Sequence, residues 1–460
     1  MKGLIVLSIY LIIMYIVTRV FTKKDDNVES FFVADRNIKT ISSAMSIAAT
    51  WIWAPSLFVS AERAYTTGLV GLFWFLIPNI LCLIIFIPFA KRIREQMPEG
   101  ITLSGYMKNK YDDKVKNVYL LQLIALSIFS TAVQLVAGAK IFSVITGLPY
   151  LSTTILLCIV AYSYSQFSGI RATVATDRLQ LTYIVVACIL LSAWLTKEKG
   201  GIDILMRGIG GISANYNNLF NKKGMEVFFA FGLPATIGLL SGPFGDQCFW
   251  QRAFAINKPQ IGKAFSLGAL LFAIVPICMG SIGFIAAGSS FIPKDISIIN
   301  FEIISQALPS WTIIVFLFMI TSGLLSTIDS NLCAVSSLTS DIFKKTNLKI
   351  SRGSMIALLI IAILIANMPG LTVTHLFLFY GTLRASTLLP TVLTLKNVKL
   401  SARGVYIGVI CSLVIGLPIF AYGNIYNLSL YKTIGSILTL SISGLMSLLI
   451  KERGGKYANS

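Results

Sequence analysis

A chain of 460 residues that is 55% hydrophobic and 12% charged lacks the composition of a soluble domain and points to a polytopic all-α membrane protein in a lipid bilayer. The net charge of +19 raises nucleic-acid binding, but the Lys and Arg residues fall in short groups between apolar runs, so no nucleic acid is expected as a partner. Seven cysteines and the lone His375 make no ligand-spaced set, so the cysteines are expected as core residues and no enzymatic centre is expected.

Apolar runs of roughly 17–25 residues predict about thirteen spans. They lie near 3–21, 40–64, 70–90, 118–146, 150–167, 173–195, 226–250, 262–288, 311–342, 354–370, 374–395, 404–422 and 431–450. The run from Leu4 to Val20 lacks a small-residue cleavage site and is long for a signal sequence, so an anchor is expected. The second span contains Thr50-Trp51-Ile52-Trp53-Ala54-Pro55-Ser56, where Pro55 removes a helical hydrogen bond and two large polar-edged rings crowd the break. In the fourth, Gln134 sits in a small-residue run from Ala132 to Ala139; it faces a solute or bridges two helices.

The seventh span contains Leu240-Ser241-Gly242-Pro243-Phe244-Gly245-Asp246-Gln247, and two glycines and a proline should unwind it. Interrupted helices at matching places in two halves are the mark of transporters built from inverted repeats, with freed carbonyls near the midplane. The ninth span carries Ser326-Thr327-Ile328-Asp329-Ser330. A mid-membrane aspartate costs about 2.5–3.5 kcal/mol. Gly323, Ser326, Thr327 and Ser330 share one arc with Asp329. Such an oxygen cluster suits a hard cation such as sodium, or the hydroxyls bond back to the preceding turn. Arg384 in the eleventh span is a functional candidate by its position alone; it grips a solute carboxylate or neutralises Asp246 or Asp329.

Placing the N-terminus outside puts most of the 38 Lys and Arg on the cytoplasmic side, in groups including Arg19/Lys23/Lys24, Lys91 through Lys116, Arg252/Lys258/Lys263, Lys344 through Arg352 and Lys451/Arg453/Lys456. The odd span count then leaves the C-terminus cytoplasmic. The stretches 91–116, 196–225 and 289–309 are too short for a soluble domain, and no signalling module is expected after Ile450.

Three motifs resemble the sodium:solute symporter family. They are Ser168-Gly169-Ile170-Arg171-Ala172-Thr173-Val174-Ala175-Thr176-Asp177-Arg178-Leu179-Gln180, Gly323-Leu324-Leu325-Ser326-Thr327 with Asp341-Ile342-Phe343, and Phe244-Gly245-Asp246-Gln247 with Trp250-Gln251-Arg252. Trp51-Ile52-Trp53-Ala54 and Asp246-Gln247 look most like its urea/polyamine branch. The resemblance implies a leucine-transporter-type core of five plus five inverted helices, with core helices 1 and 6 interrupted. Its repeats would span 40–195 and 226–395, flanked by an extra helix at 1–22 and two more at 404–450. It implies a sodium site made by the Ser326 and Thr327 hydroxyls and the carbonyls of Gly323, Ala49 and Ile52. A second ion would use Asp177 with Asp329 and Ser330; the aspartate at 329 replaces a serine of other members, which leaves a proton or an arginine partner as alternatives. Solute candidates between the breaks are Trp51, Trp53, Ser56, Gln134, Asp246, Gln247, Phe249 and Arg384. The expected function is sodium-coupled import of a small polar organic solute (urea-like, amino-acid-like or a carboxylate) at the plasma membrane. The rivals are a proton-coupled or uncoupled carrier and a solute sensor on the same fold.

Overall fold

The structure, a computed structural model, describes residues 2–21, 27–167, 169–343 and 345–451. Of the residues named above, Lys23, Lys24, Ser168, Lys344, Arg453 and Lys456 lie outside the described residues. The described chain is helical, with a single isolated bridge between Ile38 and Ile256. The main helices are α1 (Lys2–Phe21), α2 (Thr40–Trp51), α3 (Ala54–Gln96), α4 (Asp113–Thr146), α5 (Tyr150–Ser165), α6 (Gly169–Glu198), α7 (Lys222–Leu240), α8 (Gln247–Ala255), α9 (Ile261–Gly288), α10 (Thr312–Ile342), α11 (Leu348–Ala366), α12 (Val373–Leu395), α13 (Ala402–Ile425) and α14 (Ser429–Leu449).

Eleven helices among the described residues are long and apolar enough to cross a membrane, against the thirteen expected. The difference has two sources. Helix α3 runs for 43 residues through the second and third expected spans, with non-helical dihedrals only at Thr67 and Gly68. Helix α5 has 16 residues, short of the ~20 that a bilayer core asks of an upright helix.

Capping explains several boundaries. The Asp112 carboxylate accepts from the Val115 amide at 2.9 Å at the start of α4, and Gly147 closes that helix at φ 72°, a conformation that costs glycine little. Thr372 caps α12 through the His375 amide at 3.1 Å. At the kink in α3, Gly68 adopts φ 57°, and a Cβ there would lie 2.6 Å from the Gly210 backbone. The segment after α6 is stitched to this kink: Leu69 N–H donates to the Ile209 carbonyl at 2.8 Å, Val70 N–H to Tyr216 at 3.2 Å, and Ile212 N–H to Tyr65 at 2.8 Å.

Helix α9 packs along α3 and α2, while α10 lies between α6 and α4 and contacts the end of α2. Helix α12 crosses α7 and α4 and carries α14 on its outer side. Helix α1 packs on α10, α6, α5 and α4 through the buried Val6, Leu7, Tyr10 and Met14. Helix α10 is therefore central, and nearly every residue from Phe316 to Thr339 is buried. Its hydroxyls have no water to turn to, so where they point decides the chemistry.

Candidate functional site

The first break lies at Ile52 (ψ 74°) and Trp53 (ψ 178°), and Pro55 sits in the first turn of α3. The interruption thus precedes the proline, whose missing N–H would lack a helical partner there in any case. The Ala54 amide donates to Gln134 Oε1 at 2.7 Å, while Gln134 Nε2 donates to the Ser130 carbonyl at 2.9 Å. Gln134 therefore caps the second half-helix. Ser56 is likewise engaged, donating to the Trp51 carbonyl at 3.4 Å.

The second break follows the single turn Gly242–Gly245 and leaves Asp246 extended, at φ −102° and ψ 119°, with no side-chain cap bond. Its carboxylate instead pairs with the Arg384 guanidinium and accepts from Tyr380 Oη at 2.6 Å. Arg384 lies over the Tyr380 ring at 3.6 Å and 5.4 Å from the Trp51 and Trp53 centroids. The two indoles are stacked with centroids 6.2 Å apart, and Phe249 meets Trp51 edge-on at 5.1 Å. Trp51, Trp53, Asp246, Phe249 and Arg384 line one cavity with Thr50, Thr327, Asn331 and Tyr380; its free space is about 10 Å³, room for no more than one water. Three buried donors here, Arg384 Nε, Arg384 Nη1 and Trp53 Nε1, have no acceptor among the described residues.

Gln247 is elsewhere. Its Oε1 accepts from the Leu103 amide at 3.2 Å, and its Nε2 donates to the Ile101 carbonyl at 3.0 Å and to Ser337 Oγ at 3.1 Å. It ties the second break to the short helix Leu103–Lys110 and to α10. Gln134, Gln247 and Ser56 do not line the cavity, because each is spent on backbone freed where a helix ends.

A second polar cluster lies one turn away. In α10, Thr321 and Ser322 bond back to the preceding turn, but Ser326 and Ser330 reach across to other helices. Ser326 Oγ donates to Asp177 Oδ1 at 2.5 Å, and Ser46 Oγ donates to Asp177 Oδ2 at 2.5 Å. Ser330 and Thr50 hydroxyls share a bond of 2.9 Å. Thr327 Oγ1 lies 3.3 Å from both the Thr50 and Gly323 carbonyls, and a Cβ on Gly323 would lie 3.3 Å from the Ile52 carbonyl. The broken end of α2, with Ala49 in its last turn, thus faces the arc Gly323–Ser330.

Arg252 stands in the middle of this cluster. Its Nε donates to Ser46 at 3.1 Å; its Nη2 reaches Thr50 at 2.5 Å, Ser330 at 2.8 Å and Asp177 at 3.2 Å. The charge rule counts Arg252 among surface residues, yet it is 2% exposed. Spacing carried a signal: Cys248 and Arg252 lie one turn apart on α8, as Ser46 and Thr50 do on α2. Asp329 accepts from Thr176 at 3.3 Å and from Ser330 at 3.5 Å. Asp177 and Asp329 are wholly buried, and Arg252 is the cation that bonds into their cluster. With both carboxylates ionised the cluster carries one negative charge too many, a costly arrangement in a dry interior.

A family model, the sodium:solute symporter family, matches residues 31–412. The chain is 24% identical to the urea active transporter of Saccharomyces cerevisiae over 441 residues, 87% of this chain and 59% of that one. It is 24% identical to a sodium/pantothenate symporter of Haemophilus influenzae, covering 94% of this chain and 92% of the other. The urea-transporter relatives are longer, and the match spans between 42% and 60% of their length. Among solved structures, an outward-open, substrate-bound Na+-coupled sialic acid symporter superposes with TM-score 0.78 at 18% identity, covering 98% of each chain. A nucleobase-cation-symport-1 transporter superposes at 0.57 and 13% identity, covering 90% of this chain and 93% of the other. The fold is that of the leucine-transporter type, and the protein is a member of the sodium:solute symporter family.

Proposed function

We propose that the protein imports a small polar solute by alternating access, coupled to sodium through the cluster at α2, α6, α8 and α10. The observation that carries this is the charge balance: of two buried carboxylates in one cluster, Asp177 pairs with Arg252 and Asp329 bonds only to hydroxyls among the described residues. One further monovalent cation neutralises the site. The Gly323 and Ile52 carbonyls with the Ser326 and Thr327 hydroxyls offer it oxygen ligands, since a hydroxyl that donates its proton keeps its lone pairs for an ion. Ala49, in the last turn of α2, would add a carbonyl. Arg252 bonds to Asp177 and Ser330, two of the three residues expected to hold a second ion, and this supports one coupling ion per cycle.

The solute would lie between the breaks against Trp51, Trp53, Phe249 and Arg384. Asp246 already neutralises Arg384, and the vacant bonding positions are all donors, so the solute is a neutral one presenting a carbonyl oxygen, an amide of the urea type. The similarity to urea transporters supports that class. In this arrangement the N-terminus is outside and the C-terminus cytoplasmic in the plasma membrane. The repeats 40–195 and 226–395 move against each other, flanked by 1–22 and 404–450.

A second reading rests on the same charge count. A proton on Asp329 balances the cluster as well as sodium does, and one relative is a urea-proton symporter of Oryza sativa. The test is uptake of radiolabelled urea into proteoliposomes under a sodium gradient or a pH gradient, for wild type, Ser326→Ala/Thr327→Ala and Asp329→Asn. Sodium coupling predicts sodium-driven uptake that the double variant abolishes. Uptake driven by pH alone and lost in Asp329→Asn assigns the proton, and wild-type uptake from the double variant rejects the sodium site.

A further inference from the structure

A larger cavity, of about 490 Å³, lies at the end of the bundle where α3 kinks, α12 begins and α13 turns into α14. Its charged walls are Glu62, Arg63, Asp295 and Lys432. Both acids are already matched. Glu62 Oε1 pairs with Arg63 at 3.2 Å, and Glu62 Oε2 accepts from Thr374 at 3.1 Å. Asp295 pairs with Lys140 and accepts from Ser297 at 2.8 Å.

Lys432 is different. It is 8% exposed, and among the described residues its ammonium has no ion pair and no hydrogen bond. It sits in the first turn of α14, where the helix dipole adds positive potential instead of relieving it. The amide ends of α12, at Thr372 to Thr374, line the same cavity. Arg63 adds a second cation to this wall, with its guanidinium paired to Glu62 and lying 4.3 Å over the Phe231 ring. The Lys432 ammonium lines the vestibule, keeps accessible surface there and has no counter-charge among the described residues, so a small anion can reach it and pair with it.

We propose that this vestibule is a binding site for a compact monovalent anionic group, chloride or a carboxylate, held by Lys432 with the positive charge of Arg63 beside it. Phe231 and Leu378 also line it, and Phe231 and Trp53 both meet Phe377, at 6.4 and 5.6 Å. The anion therefore sits one aromatic layer from the solute cavity. The site goes beyond the transport reading, because it needs neither the coupling ion nor the solute of the core.

The test uses the purified protein with sodium held constant. Thermal stability is followed while potassium chloride or potassium acetate replaces the bulkier potassium isethionate at equal ionic strength. Saturable stabilisation by chloride or acetate is expected for the wild type. Lys432→Met should weaken it about tenfold or more, as for one lost charge-assisted contact, and Lys432→Arg should retain it. Stabilisation by chloride identifies a free-ion site, and stabilisation by acetate alone identifies a carboxylate site. A flat wild-type titration overturns the proposal whether or not the variants fold, and so does an unchanged response in Lys432→Met.

Discussion

Arg252 bonds to hydroxyls on α2 and α10 and to a carboxylate on α6, so one side chain sets the electrostatics where four helices meet. Removing it leaves two buried carboxylates without a cation, a class of change that costs about 3–5 kcal/mol. Arg252→Gln is expected to lower the melting temperature sharply in sodium-free buffer, and the double variant Arg252→Gln/Asp177→Asn to recover a large part of the loss. A double variant no more stable than the single one would show that charge balance is not what the arginine supplies. Arg384 answers to the same logic at the solute cavity. Arg384→Met strands Asp246 and deletes two unfilled donors, so solute affinity should fall about tenfold or more, measured as the concentration of urea that half-saturates uptake.

The helices meet at contacts that only glycine permits. A Cβ on Gly238 would lie 2.7 Å from the Gly381 Cα, so the backbones of α7 and α12 touch. A Cβ on Gly242 would lie 2.3 Å from the Trp51 ring, which seats one break against the other. Gly242→Ala should displace that indole and reduce uptake with little loss of folded protein, since the ring is a side chain that shifts; Gly381→Val meets backbone and should destabilise the fold itself. Paired uptake and melting measurements separate the two outcomes. Both breaks were legible in the chain, because Pro55 and the run Gly242-Pro243 cannot continue a helix unaided. The partners of the freed backbone were not. Gln134 and Gln247 have the composition of solute ligands, and only their neighbours in space show that a broken helix consumes their bonds. Arg252 was obscured for a related reason: a charge near the end of a span obeys the orientation rule whether it faces water or reaches back into the bundle.

The molecule as a whole has the cavity between its two breaks shut, with a larger vestibule at one end of the bundle. The opposite end is closed by polar ties: Gln247 to Leu103 and Ser337, and Asp341 accepting from Thr102 and Ser104, each at 2.6 Å. In the alternating access proposed above, these ties break when that end opens. Gln247→Ala is expected to raise hydrogen–deuterium exchange across Leu103–Lys110 by about an order of magnitude, the equivalent of roughly 1.4 kcal/mol of local opening. Unchanged exchange there would remove Gln247 from the closure.

The stitching of 209–216 onto the kink at Gly68 has a mechanical consequence. One main-chain bond, from Ile212 to Tyr65, ties that segment to the part of α3 before the kink, and two more, at Leu69 and Val70, with the glycine contact at Gly68, tie it to the kink and the part beyond. The segment therefore splints the kink, so any change of bend at Gly68 must strain or break one of these bonds, and Phe220, four residues on, stands 87% exposed. A fluorophore placed at position 220 would act like the needle of a gauge for that bend, and a signal unchanged by sodium and urea would show that the kink keeps its shape through the proposed cycle.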